Sequence, residues 1–99
     1  MQPKFGEYHE GYGAELLCPF CGSNYLHHDR IEVFEREEDQ QLGLHASISD
    51  GKLTTDTDLK GNTSGRRHGL NIHFWCEGCS EKPVLSIAQH KGNTHIDSK

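Results

Sequence analysis

Two Cys-x-x-Cys pairs, Cys18-Pro19-Phe20-Cys21 and Cys76-Glu77-Gly78-Cys79, constrain this chain more than any other feature in it. Two intervening residues let the backbone curl until both sulfurs face one ion at about 2.3 Å, and a second pair completes a tetrahedron. Gly22 follows the first pair, where such a turn wants a residue free to take positive φ, and Gly78 is expected to meet a similar need in the second. The spacing predicts one zinc ion held by Cys18, Cys21, Cys76 and Cys79. Four thiolates close the shell of zinc and leave no position for a substrate, so the site is expected to be structural.

Three other uses of the cysteines fit less well. Disulfides need an oxidising compartment, and the start MQPKFGEYHEGYG lacks the apolar region of a secretory signal. Thiol redox catalysis is suggested by Cys18-Pro19-Phe20-Cys21, which resembles a glutaredoxin site, but it wants its first cysteine at a helix N-terminus. Here Gly22-Ser23-Asn24 and β-type sequence follow. Iron also takes a Cys-Pro-x-Cys-Gly unit, as in rubredoxins, yet the second pair has no proline and is followed by Ser80.

A metal would also answer a shortage. In 99 residues, Ile, Leu, Val and Phe number only twenty, close to the edge at which chains stop folding alone. A domain this small buries a modest share of its surface and needs a staple. No run approaches the ~18 apolar residues that span a bilayer, so the chain is expected to be soluble, cytoplasmic and without a membrane partner. Its organisation reads as a flexible N-terminal tail over 1–14 and one domain over 15–99, with an insertion at about 37–69.

The periodicity is that of strands. Arg30 to Arg36 alternates Ile31 and Val33 against Glu32 and Phe34, and after a polar turn at Glu37 to Gln41, Leu42, Leu44, Ala46 and Ile48 predict a strand with one buried face. Asp50-Gly51 tolerates the positive φ angles of a two-residue hairpin turn, which returns Lys52 to Thr57 antiparallel. Asp58 to Gly69 is rich in Gly and polar residues and is expected to be mobile. Leu70, Ile72 and Phe74 then alternate into Cys76, Val84 to Gln89 is a further strand, and a turn at His90 to Asn93 leads to a short last strand at Thr94 to Asp97. No stretch shows a helical stripe, so the class is small all-β.

LLCPFCGS followed by a strand, and a strand running into FWCEGC with another leaving it, resembles the zinc ribbon. That resemblance implies an antiparallel sheet of three core strands, here Arg30 to Arg36, Leu70 to Trp75 and Val84 to Gln89, with one zinc clamped between two knuckles. Cys18 and Cys21 match the first knuckle, Cys76 and Cys79 the second. The chain departs from the pattern in length: 54 residues separate Cys21 from Cys76, and they read as an inserted hairpin and loop. In type it looks like small uncharacterised zinc-ribbon proteins of bacteria, phages and prophages.

The remaining residues speak against catalysis. Ser80 and Ser86 have no identifiable His–Asp partners, and the scattered acids offer no acid/base pair beside an open metal. His27-His28 are considered as substitute ligands, and His45 and His73, taken as cross-strand neighbours, with an acid as a second metal site. Fifteen Asp and Glu against ten Lys and Arg give a net charge of −5, without the basic footprint of a general nucleic-acid binder. The expected function is therefore a non-catalytic protein-interaction module whose partner is another protein. The alternative is a nucleic-acid or transcription accessory module in which Arg66, Arg67, Trp75 and Lys91 contact a backbone or single strand. Glu37-Glu38-Asp39 resembles the acidic hairpin tip of transcript-cleavage zinc ribbons, which points the same way.

Overall fold

In the computed structural model, which describes all 99 residues, every regular element is a strand. The all-β expectation holds, and no helix is long and apolar enough to cross a membrane. β1 (Phe5–His9) and β2 (Gly13–Leu16) pair only with each other. β3 (Leu26–Glu35), β4 (Leu44–Ser49), β5 (Lys52–Asp56), β6 (Gly69–Cys76), β7 (Val84–His90) and β8 (Asn93–Ser98) form one sheet in the order β5-β4-β3-β6-β7-β8. All neighbours in it are antiparallel. The three strands expected at the centre are side by side as β3, β6 and β7. β3 begins four residues earlier than its alternation indicates, because Leu26 and His27 pair with Cys76 and Trp75 beyond a bulge at 28–30.

The turns follow local chemistry. Asp50 and Gly51 take φ of 53° and 73°, the two positive values a tight hairpin turn requires, and Lys91-Gly92 repeats this between β7 and β8 at 49° and 80°. Most of the segment 1–14, expected to be a flexible tail, takes part in the β1–β2 hairpin. All five residues of β1 are exposed, so pairing there leaves no alternation for a sequence pattern to reveal. Met1 ties it to the sheet. Its amino group donates to the Ser98 carbonyl at 2.7 Å, and its own carbonyl accepts from the Ser98 N–H at 2.8 Å.

The faces of the sheet are covered in the reverse of the expected sense. On β4 the aliphatic residues were to be the buried set, yet Leu44 and Ile48 are 46% and 48% exposed while Ser47 is 8% exposed. Register carries this across the strands: Phe34 lies opposite His45 and Gly69, Glu32 opposite Ser47 and Asn71, and Asn71 opposite Ser86. Glu32, Phe34, Ser47, Asn71 and Ser86 are all buried. On the other face Ile31, Val33, Leu70, Ile72, Leu85 and Ile87 are only half-buried.

The cover is the segment after β5, the one whose composition predicts mobility. Ser64 Oγ donates to the Gln89 carbonyl at 2.9 Å, Asn71 Nδ2 to the Gly61 carbonyl at 3.0 Å, and the Arg36 guanidinium to the Ser64 carbonyl at 3.2 Å. Gly61 sits over the Phe34 ring, which stacks on His45 at 4.6 Å between centroids. An irregular segment brings unpaired backbone groups with it, and only a polar face can satisfy them once water is excluded. That is why the loop lies on the Asn71 and Ser86 side. The aliphatic side has no cover within these 99 residues.

Candidate metal centre

The β3–β6 pairing builds the site. Cys76 ends β6 opposite Leu26, and the Glu77 N–H continues the ladder to the Tyr25 carbonyl at 3.1 Å, which sets the loop carrying Cys18 and Cys21 beside the second pair. The first knuckle is closed by Cys18 N–H to the Ser23 carbonyl at 2.8 Å and Gly22 N–H to the Cys18 carbonyl at 2.9 Å, with Gly22 at φ 81° as its turn requires. In the second, the Gly78 N–H donates to Cys76 Sγ at 3.3 Å.

Gly78 is needed for a different reason from the one expected. Its φ is not positive; what matters is room, since a Cβ there would stand 3.0 Å from Ser23 Cβ and 3.1 Å from Cys21 Sγ. Neither neighbour is a free side-chain end, because Ser23 Oγ also accepts from the Tyr25 N–H at 3.1 Å. Gly78→Ala is therefore expected to force the two knuckles apart and weaken metal affinity by about 10- to 100-fold, the range seen when groups that orient ligands are disturbed. Competition against a chromophoric chelator measures it. An unchanged affinity would show that the knuckles tolerate the separation.

The four sulfurs converge, every pair within 4.8 Å, with Cys18 and Cys79 Sγ 3.8 Å apart and Cys21 and Cys76 Sγ 3.6 Å apart. Four sulfurs at about 2.3 Å from a central ion define a tetrahedron with an edge of about 3.8 Å. The residues present fit such an ion. None is joined in a disulfide, whose sulfurs lie at about 2.05 Å. Cys18 and Cys76 are buried, Cys79 is half-buried and Cys21 faces solvent, so the cluster sits at the end of the sheet with one side open to entry.

The thiols compete for charge. Burial opposes ionisation of Cys76, but the Gly78 N–H and the thiols of Cys21, Cys18 and Cys79 outweigh it and bring Cys76 to about 7. For Cys79 the Glu81 N–H pulls down, while burial and the three neighbouring sulfurs push up, to about 12. One thiolate is easy and a second is hard. A cation among the sulfurs removes that conflict, and its binding releases protons.

The other candidates are placed differently. His27 is outside the cluster: it stacks on Trp75 at 4.4 Å and pairs with Glu77. His45 and His73 are not neighbours, since β3 runs between their strands. Each instead reaches diagonally to the carboxylate of Glu32, His73 Nε2 to Oε1 at 2.6 Å and His45 Nε2 to Oε2 at 2.9 Å. Asp56 Oδ1 holds the other nitrogen of His45 at 2.9 Å, and Arg30 donates to Glu32 Oε2 at 3.1 Å. A guanidinium on the shared carboxylate opposes a second cation there. Glu32 had no assigned role in the sequence. The signal was Phe34, two residues on: an aromatic that needs burial marks its whole face of the strand as covered.

Arg66 and Arg67 lie against the acidic turn. Arg66 Nε donates to Asp39 at 2.6 Å, Arg67 pairs with Glu38 at 2.9 Å, and Arg66 holds the Asp39 carboxyl below its ordinary value. They precede Gly69 at one end of β6, and Trp75 is at the other end, about 20 Å away at the rise of a strand. Comparison of the chain with protein-family models, with curated proteins and with solved structures finds no match.

Proposed function

We propose that this chain is a zinc ribbon in which one zinc ion is a structural staple, and that it works as a non-catalytic protein-interaction module in the cytoplasm. The observation that carries the metal assignment is the convergence of four sulfurs, every pair within 4.8 Å and two pairs at 3.6 and 3.8 Å. Four thiolates complete the preferred shell of zinc and leave no coordination position for chemistry. Zinc is favoured over iron because Ser80, not glycine, follows the second pair. Thiols that must stay reduced suit a reducing compartment.

The interaction role is supported by the uncovered aliphatic face of the sheet. Contiguous apolar surface of this kind marks a contact site more often than an idle surface. A nucleic-acid role is opposed by the same structure, because the one basic cluster is already neutralised by Glu38 and Asp39 and is remote from Trp75. Metal analysis of purified protein is expected to give one zinc per chain. Titration with single- and double-stranded nucleic acid at ~50 mM salt, where electrostatic binding is strong, is expected to show no complex. Binding that weakens steeply with added salt would replace the protein-interaction role with the nucleic-acid one.

A further inference from the structure

The sheet presents polar residues inward, under its loop, and aliphatic residues outward. Ile31, Val33, Leu70, Ile72, Leu85 and Ile87 occupy the middle of that outer face, and the charged side chain β3 adds to it is Glu35, at the strand's end opposite Leu44. Leu53, on the edge strand β5, is 65% exposed, and Ile96 on the opposite edge strand β8 is nearly half exposed. Between these rims lie shallow hollows, one of 260 Å³ lined by Val33, Leu70 and Ile87 with Glu35 and His68 at its edge, another of 350 Å³ where Ile31 and Ile48 meet the polar end at Asp29 and Asp50. Apart from Pro83, the buried apolar side chains of the chain are Cys18, Phe34 and Cys76, so the aliphatic residues do not form an internal core at all.

We infer that the occupant of this face is a second copy of the chain, the two sheets stacking about a two-fold axis into a sandwich. This rests on the sheet being the interaction surface proposed above, and it names the partner. Three properties select a copy over an unrelated protein. First, area: six strands about 4.8 Å apart, averaging about seven residues at ~3.4 Å each, give a face of roughly 700 Å². Two such faces hide roughly 1,400 Å², inside the range of specific stable interfaces. Second, charge: the centre of the face carries none, and its acids are at the margin, Glu35 beside His68 at 3.2 Å and Asp29 and Asp50 at the Ile31–Ile48 end, where a contact stays wet. Third, shape: sheets twist with one hand, and an identical sheet necessarily has the matching twist for aligned face-to-face packing. The rim residues Leu53 and Ile96 are proud of the surface, and the hollows between them are the complementary feature an isologous contact needs.

The test is sedimentation of the zinc-loaded full chain from ~1 to 200 µM, a range that brackets ordinary dimer affinities. The expected species is twice the 11.2 kDa chain. Leu53→Lys is expected to return it to a monomer with its zinc and its circular dichroism unchanged, because that side chain already lies in solvent within one chain. Ile72→Asp, at the centre of the face, is expected to do the same. Thr54→Lys, on the same strand but pointing to the opposite face, is expected to leave the dimer intact. A wild-type monomer at every concentration overturns the inference, as does a dimer that survives both Leu53→Lys and Ile72→Asp. The two levels separate in native extract of the host. A purified monomer that migrates there in a larger complex, lost on Leu53→Lys, rejects the second copy and keeps the interaction module. A chain that migrates as a monomer in both settings rejects both.

Discussion

Stripping the metal from the purified protein is expected to abolish its cooperative fold. Only 11 of 99 residues are buried, and two of the three buried apolar side chains outside proline are Cys18 and Cys76 of the four-thiol cluster. Structural zinc in small domains contributes about 10 kcal/mol or more, comparable to the whole 5–15 kcal/mol by which a typical domain is stable. The loss begins where the metal holds most. Without it the loop of Cys18 and Cys21 has only the Glu77–Tyr25 bond and its own turn to hold it against β6. Amide dispersion in a proton–nitrogen spectrum, followed while a strong chelator is added, reads the transition. Collapse of the dispersion with release of one ion per chain is the expected result, restored by zinc. Cys76→Ser should reproduce the collapse without a chelator, since Cys76 is both one of the four converging thiols and the last residue of β6. Dispersion that persists after complete metal removal would mean the sheet stands without the staple.

Replacing Glu32 is expected to have the next largest effect. Its carboxylate is buried at the centre of three strands and accepts from His73, His45 and Arg30 together. Glu32→Ala leaves three donors around a void, and breaking a buried ionic cluster from one side costs about 3–5 kcal/mol. For a chain of this length each kcal/mol moves the melting temperature by about 4–8 °C, so the change is well within calorimetric reach. Glu32→Gln keeps the shape and removes the charge, which allows a pH test. Burial raises the Glu32 carboxyl, but His73, His45 and Arg30 outweigh it and hold the group below its ordinary 4.5. Burial lowers His45, yet Asp56 and Glu32 outweigh it and hold the imidazole above its ordinary 6.5.

The signs follow from which form the fold favours. A depressed carboxyl contributes stability above its unfolded value and loses it as pH falls through the folded one. A raised imidazole contributes fully below its unfolded value and loses that as pH rises through the folded one. Both contributions are complete between about 4.5 and 6.5. With zinc in excess, the stability gap between wild type and Glu32→Gln should be widest in that window and narrow on either side. A gap that is flat with pH would show that the cluster acts through shape alone.

The pairing of cysteines into one cluster and the strand class were legible because each rests on a local pattern. Two residues between cysteines fix how far apart two sulfurs stand, and alternation reports that a strand has two unlike faces. The turn at Asp50-Gly51 was legible for the same reason, since the need for positive φ lies within the dipeptide. The β1–β2 hairpin escaped because β1 is exposed along its whole length and so leaves no alternating pattern. The need of Gly78 for space escaped because the atoms it would strike belong to Cys21 and Ser23, more than fifty residues away along the chain.

What the sequence by itself determined, then, is that four thiols would meet and that the intervening chain would pair as strands. The tertiary structure alone decided which face of those strands is inside. Period two says that Glu32, Phe34, His45 and Asn71 share one face and Ile31, Val33 and Ile72 the other, but it is silent on which face receives a cover. That was settled by the chain after β5, an irregular segment whose carbonyls and N–H groups need partners. Polar side chains supply those partners and aliphatic ones do not. The loop therefore took the polar face, set Gly61 over Phe34 and Glu32, and left the aliphatic face outward.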